Sequence, residues 1–117
     1  MITNSRARRV RFVDEKIYQA YLKLKSGKTE DINLAENIDS AINALKQNPF
    51  CGIKIPGRVW PKEYLKKYGI DNLRKYDLPD GWRLIYFLAG DEIEIVSIIL
   101  EWFDHKNYEK RFGYKNK

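Results

Sequence analysis

The stretch Asp77-Leu78-Pro79-Asp80-Gly81-Trp82-Arg83-Leu84-Ile85-Tyr86-Phe87-Leu88-Ala89-Gly90-Asp91 decides the fold. Proline presets φ and glycine accepts φ > 0, so Pro79-Asp80-Gly81 is strong turn chemistry, and Ala89-Gly90-Asp91 supplies a second turn. Strands are predicted at 72–78, 82–88 and 92–100, joined by those turns into an antiparallel meander. In the last of them Ile95 and Ile99 alternate with Val96, Ile98 and Leu100, so both faces are apolar and the strand is central or well covered.

Upstream the period changes from two to three and four. Asp14 offers an N-cap, and Ile17, Tyr18, Tyr21, Leu22 and Lys25 fall at helical spacing until Ser26-Gly27 stops the run. Asn33, with Glu36 three residues on, reads as the start of a second helix carrying Leu34, Ile38, Ala41, Ile42 and Leu45, which Asn48-Pro49 ends. The short polar link between them predicts an antiparallel hairpin. Before it, 10–13 reads as a first strand; after it, 50–58 is a loop with an extended piece at 53–55. Pro61 then suits the first turn of a short helix over 62–68, ended by Gly69. The expected architecture is a single α+β domain over 1–117. Its N-terminal strand and helical hairpin pack on one face of an antiparallel sheet, and a short extra helix precedes the meander.

A chain of 117 residues, 44% hydrophobic and 32% charged, is suited to one modest core. Its apolar runs are far below the roughly 18 residues that span a bilayer, and the basic N-terminus lacks the apolar stretch of a secretory signal. One cysteine, Cys51, excludes an intrachain disulfide, and with one histidine, His105, a transition-metal site is not expected. The expected home is a reducing cytoplasm.

The formal charge is +6, and its placement says more than its sum. Each end (1–11 and 105–117) carries +4, leaving the middle at −2. Within that middle, residues 54–83 hold Lys54, Arg58, Lys62, Lys66, Lys67, Arg74, Lys75 and Arg83 against four acids. Terminal charge runs are commonly solvated tails; a basic central stretch makes an anionic partner, nucleic acid first, more credible.

Arg83 falls on the strand face opposite Trp82, Leu84 and Tyr86, while Arg74 shares a face with Tyr76 and Leu78. A cation among apolar strand residues needs either a carboxylate partner, here Asp77, Glu94 or Glu101, or an open anion-binding groove. Two such arginines on neighbouring strands favour a phosphate site. Histidine is the side-chain type that changes charge near neutral pH, and His105, just past the last strand, is placed to act as general acid or base. Tyr108 is one helical turn on; the competing reading for both is a surface or capping role. Trp102 and Phe103 read as core or rim, with base stacking as the alternative. Glu63 and Glu101 are the candidate carboxylate bases. No paired-carboxylate spacing, Gly-rich phosphate loop or activated Ser or Cys arrangement is present.

With Asn48-Pro49, Leu73-Arg-Lys-Tyr-Asp-Leu, Gly81-Trp-Arg-Leu-Ile-Tyr, an Ile-rich strand and His105-Lys-Asn-Tyr in this order, the chain resembles the RelE/ParE superfamily of toxins from type II toxin-antitoxin systems. The resemblance implies a ribosome-dependent mRNA endonuclease (mRNA interferase) that needs no metal or other cofactor and inhibits translation by attack of the 2′-hydroxyl on the adjacent phosphate. By position it implies Arg83, His105, Tyr108 and Arg74 as catalytic residues and Lys54 and Lys106 as cations of the RNA site; Arg58, Lys62, Lys110 and Arg111, from the basic stretches, complete the expected RNA-binding set. The implied partners are a cognate antitoxin, forming a hetero-oligomer, and mRNA on the ribosome, with the terminal basic segments gripping surrounding RNA. Two features depart from the family pattern: the 57–72 insertion is long, and His-Lys-x-Tyr replaces His-Arg-x-x-x-Tyr. The alternatives are a non-enzymatic gyrase inhibitor of the ParE kind and an inactive relative that only binds a partner.

Overall fold

The computed structural model describes residues 6–113. In chain order they form β1 (Ala7–Phe12), α1 (Glu15–Lys25), α2 (Thr29–Gln47), β2 (Ile53–Lys54), α3 (Lys62–Tyr68), β3 (Arg74–Asp77), β4 (Arg83–Gly90), β5 (Glu94–Phe103) and α4 (His105–Phe112), with 3-10 turns at Gly57–Val59 and Pro79–Gly81. The fold is α+β. Its five strands lie in the order β1-β5-β4-β3-β2.

β2 to β5 pair antiparallel as expected, but β1 pairs parallel with β5, Ala7 opposite Glu94 and Phe12 opposite Ile99, so the sheet is mixed. The chain enters β2 after the hairpin running opposite to β1, and the three antiparallel steps from β2 to β5 then leave β5 pointing the same way as β1. The expected packing on one face also needs correction, because both faces are covered. α1 and α2 bury Tyr21, Leu34, Ile38, Ala41 and Leu45 against Leu84, Tyr86 and Ile99 on one side. On the other, α3 and α4 bury Tyr64, Tyr108 and Phe112 against Ile85 and Leu100. The two-sided apolar pattern of β5 has its cause here. Each fully buried aliphatic side chain contributes roughly 1.5–3 kcal/mol, so the central strands anchor both layers.

Local boundaries follow from side-chain hydrogen bonds. The Asp14 carboxylate caps α1 by accepting from the Ile17 amide at 2.9 Å. α2 begins at Thr29, earlier than the Asn33 start expected, because the Asp31 carboxylate accepts from the Lys28 amide at 3.1 Å. It closes over Gly27, where any Cβ would clash with the Asp31 carboxylate. β3 starts later than residue 72 because the Asn72 side chain itself does the pairing, donating to the Leu88 carbonyl at 2.9 Å and accepting from the Leu88 amide at 2.8 Å. β5 starts after residue 92 because the Asp91 carboxylate accepts from the Ile93 and Glu94 amides. Those two donors hold the Asp91 carboxyl below its usual pKa.

A bulge in β5 sets up the site. Tyr86 pairs with Ile99 but Ile85 pairs with Glu101, leaving Leu100 as the extra residue. Strict alternation would send Glu101 into the α1/α2 core with Ile99. The bulge instead turns Leu100 and Glu101 together toward α3 and α4, where Leu100 is buried and Glu101 accepts from the Tyr64 hydroxyl at 2.5 Å.

Among the described residues no helix is long and apolar enough to cross a membrane.

Candidate functional site

The site forms where β4 begins and β5 passes into α4. Asp104 caps α4, its carboxylate accepting from the Asn107 amide at 2.9 Å, and this starts the helix at His105. The sequence reading placed Tyr108 on a helical turn; the element is a full helix, whose Tyr108 and Phe112 face the sheet with ring centroids 4.8 Å apart.

Arg83 is the hub. Its Nη1 donates to the Gly81 carbonyl at 2.6 Å, its Nε lies 3.2 Å from Asp77 Oδ1, and its Nη2 donates to His105 Nδ1 at 3.2 Å. Beneath it the Tyr108 ring lies 5.4 Å from the guanidinium carbon. A guanidinium only donates, so Nδ1 of His105 is the acceptor and the ring carries its proton on Nε2. That nitrogen faces Glu109 Oε2 at 3.2 Å. The result is a chain from Asp77 through Arg83 and His105 to Glu109. With Asp77 51% exposed, the Arg83–Asp77 pair contributes little stability; it orients the guanidinium, leaving one N–H on each terminal nitrogen for an incoming anion.

The carboxylate partner considered for Arg83 is therefore Asp77, and Lys75 reaches the same Oδ1 at 2.8 Å. Both share the face of Arg83, because Asp77 pairs with Arg83 and Lys75 with Ile85. Lys75 and Glu109 were not among the expected site residues, and Asp77 was expected only as one of three possible partners. The i, i+4 spacing of His105 and Glu109 was the available signal for Glu109; the place of Lys75 follows only from strand register.

His105 and Tyr108 join Arg83 as expected, but in different ways. His105 is exposed, whereas Tyr108 is buried, so its ring acts as a floor for the guanidinium. Arg74 does not join them. It pairs with Tyr86, on the opposite face of the sheet from Arg83. Its Nη1 donates to the Phe50 and Gly52 carbonyls at 3.2 and 2.9 Å, and its guanidinium carbon sits 5.4 Å from the Phe50 ring centroid. Arg74 pins the loop after α2, which corrects its expected catalytic placement.

The expected RNA-binding cations divide. Lys106 and Lys110 are exposed on α4 beside the site, with no ion-pair partner among the described residues. Arg111 is engaged, with Nη1 3.4 Å from Glu63 and Nη2 3.7 Å from Glu101, its guanidinium over the Tyr64 ring. The backbone amide at its own helix start and Arg111 hold the Glu63 carboxyl below its usual pKa, and burial pushes the Tyr64 hydroxyl up. Glu63 and Glu101, the candidate bases, thus tie α3, β5 and α4 together. Lys54, Arg58 and Lys62 are exposed near the β2 edge and the start of α3. At the N-terminus Arg6, Arg8 and Arg9 are held against the Asp91 carbonyl, the Gln47 carbonyl and Glu94, so this segment of the described chain is a sheet edge and not a loose tail. Lys115 and Lys117 lie outside the described residues.

Comparison of the chain with protein-family models, with curated proteins and with solved structures finds no match to any of them.

Proposed function

We propose that the protein is a toxin-like endoribonuclease of the RelE/ParE kind, acting in the cytoplasm on mRNA at the ribosome and neutralised by an antitoxin that covers its basic surface. The observation that carries this reading is the convergence of Arg83, His105 and Glu109 at an open edge of the domain. A scissile phosphate bound through the two remaining N–H groups draws the guanidinium toward itself, which loosens the Nη2–Nδ1 hydrogen bond and frees the Nδ1 lone pair. Nδ1 then accepts the 2′-hydroxyl proton as the 2′-oxygen attacks phosphorus, and the P–O5′ bond breaks. The products are a 2′,3′-cyclic phosphate and a 5′-hydroxyl, whose proton comes from water at the exposed side. Glu109 on Nε2 stabilises the imidazolium, and Arg83 stabilises charge that grows on the phosphoryl oxygens only in the transition state. Side chains of this chain take the 2′-hydroxyl proton and stabilise the phosphoryl charge.

The test is to add the protein to a translating extract and map mRNA 5′ ends. Wild type should create new ends, and Arg83→Ala and His105→Ala should not. No cleavage by wild type, or equal cleavage by the variants, overturns the reading; inhibition of a topoisomerase without cleavage selects the gyrase-inhibitor alternative.

A further inference from the structure

Two cations on the sheet face away from Arg83 lack a counter-ion. Lys54 of β2 lies directly opposite Arg74 of β3, so both side chains leave the same face, the one Arg74 shares with Tyr86. Among the described residues neither has a carboxylate within ion-pair distance, whereas Lys75 and Arg83 on the other face share Asp77. Like charges directly opposite one another repel, so this cross-strand pair is unfavourable until an anion sits between them.

Both cations line a pocket of about 430 Å³ that opens beyond the end of α2. Two of its walls are aromatic. Phe50 is 47% exposed, and Trp60 is fixed by its Nε1, which donates to the Ile55 carbonyl at 2.8 Å. Arg74 uses Nη1 on the Phe50 and Gly52 carbonyls, and its fork has further donors. Asp71 lines the same pocket three residues before Arg74, and its Oδ1 accepts from Asn72 Nδ2 at 2.9 Å. Three residues of extended chain span roughly 10 Å, so the pocket has cations at one end and a carboxylate at the other.

We propose that this pocket binds a free purine nucleoside monophosphate, guanine in preference to adenine. The phosphate lies between Lys54 and Arg74, the ring lies against Phe50 and Trp60, and Asp71 accepts from the base edge. Each contact follows from the chemistry of the lining. An arginine fork and an ammonium on one side match a phosphate, and aromatic walls match a flat ring. A carboxylate accepts two parallel N–H bonds from the guanine edge, where adenine offers a single amino group. Asp71 also repels a second negative group, so the site suits a ligand charged at one end and disfavours a polyanionic strand. The volume falls within the range of small-ligand sites. Because Arg74 and Arg83 lie on opposite faces, the pocket is separate from the Arg83–His105 centre, and the inference does not rest on the nuclease reading.

Equilibrium dialysis of the full chain against guanosine 5′-monophosphate tests the pocket. Saturable binding of one molecule per chain is expected. Guanosine, which lacks the phosphate, and inorganic phosphate, which lacks the ring, should each bind at least about tenfold more weakly. Arg74 also holds the loop after α2, so exposed Lys54 supplies the variant that leaves packing intact: Lys54→Ala should weaken binding about tenfold. Asp71→Asn should remove the preference over adenosine 5′-monophosphate, and Arg83→Ala should bind the nucleotide as wild type does. Absence of saturable binding at millimolar nucleotide, inorganic phosphate binding as tightly as the nucleotide, or unchanged binding by Lys54→Ala overturns the pocket. Equal wild-type affinity for the two nucleotides overturns the role of Asp71. Binding lost in Arg83→Ala also overturns the pocket, because it moves the nucleotide to the other face. Nucleotide binding as expected without mRNA cleavage in extract removes the nuclease and leaves the pocket; cleavage without nucleotide binding does the reverse.

Discussion

Arg83 donates from Nη2 to Nδ1 of His105 across 3.2 Å, which couples the first residue of β4 to the first residue of α4. The histidine tautomer, the aim of its second nitrogen at Glu109 and the floor supplied by Tyr108 all depend on where that guanidinium sits.

The two strand arginines should separate in function. Arg83→Ala removes transition-state charge stabilisation and should lower mRNA cleavage about 10²-fold. Arg83→Lys should recover little, since one ammonium cannot span Gly81, Asp77 and His105. Arg74→Ala leaves the Phe50 and Gly52 carbonyls without their donor and should reduce stability by about 1–3 kcal/mol in urea unfolding, while the folded fraction cleaves at the wild-type rate. Equal cleavage losses for both arginines would contradict the opposite-face assignment.

Glu109→Gln keeps an acceptor for Nε2 but removes the charge that stabilises an imidazolium. Cleavage should fall, by less than the 10²–10⁴-fold expected for His105→Ala. Both side chains are substantially exposed, 60% for His105 and 37% for Glu109, so neither substitution should move the melting temperature by more than about a degree or two. A clear drop in thermal stability would show that the pair serves packing.

The same arginines show where sequence reading stops. Periodicity correctly put Arg83 opposite Leu84 and Tyr86, and Arg74 with Tyr76; only register shows that Arg74 pairs with Tyr86 and so lies on the far face. Turn and cap chemistry located the meander, the first helix and the 62–68 helix, because proline, glycine and aspartate act on their own backbone. α2 began early because Asp31, inside its first turn, accepts from the Lys28 amide, and α4 was read as a single turn because Asp104 caps a helix whose first turn is weakly apolar. The β5 bulge had no local signal. It is set by what α3 and α4 place over Leu100 and Glu101, so the Tyr64–Glu101–Arg111 network was legible only as separate residues.

Gly81 sits at φ +80 and its carbonyl receives Arg83 Nη1. A Cβ there would lie 3.4 Å from the His105 Cβ. That distance is ordinary contact, so the effect comes from the backbone: Gly81→Ala should cost about 1 kcal/mol or more at this positive φ, and relaxing the turn moves the carbonyl that holds Arg83. The expected outcome is a lower urea midpoint together with reduced cleavage per folded molecule. Pro79→Ala in the same turn should change the midpoint alone, since no hydrogen bond from its side chain enters the site.

Alkaline stability should report on Tyr86. Its buried hydroxyl donates to the Pro49 carbonyl at 2.8 Å and accepts from the Gly52 amide at 3.1 Å, and burial pushes its pKa up to about 12. In the unfolded chain the phenol titrates near 10, so between those values the unfolded state has released a proton that the native state retains. The stabilisation is fully present below about pH 10 and is lost as pH rises through 12. Burial raises the Tyr64 hydroxyl in the same direction, so the wild-type decline sums at least both groups. Tyr86→Phe should lower stability by roughly 1–3 kcal/mol at neutral pH, because the Gly52 amide and Pro49 carbonyl lose their partner. It should also make the decline between pH 10 and 12 shallower, with Tyr64 and Tyr21, whose hydroxyls burial also pushes up, contributing to the remainder. Urea unfolding at a series of pH values measures both effects, and a Tyr86→Phe protein whose alkaline slope matches wild type would show that this hydroxyl titrates freely in the folded state.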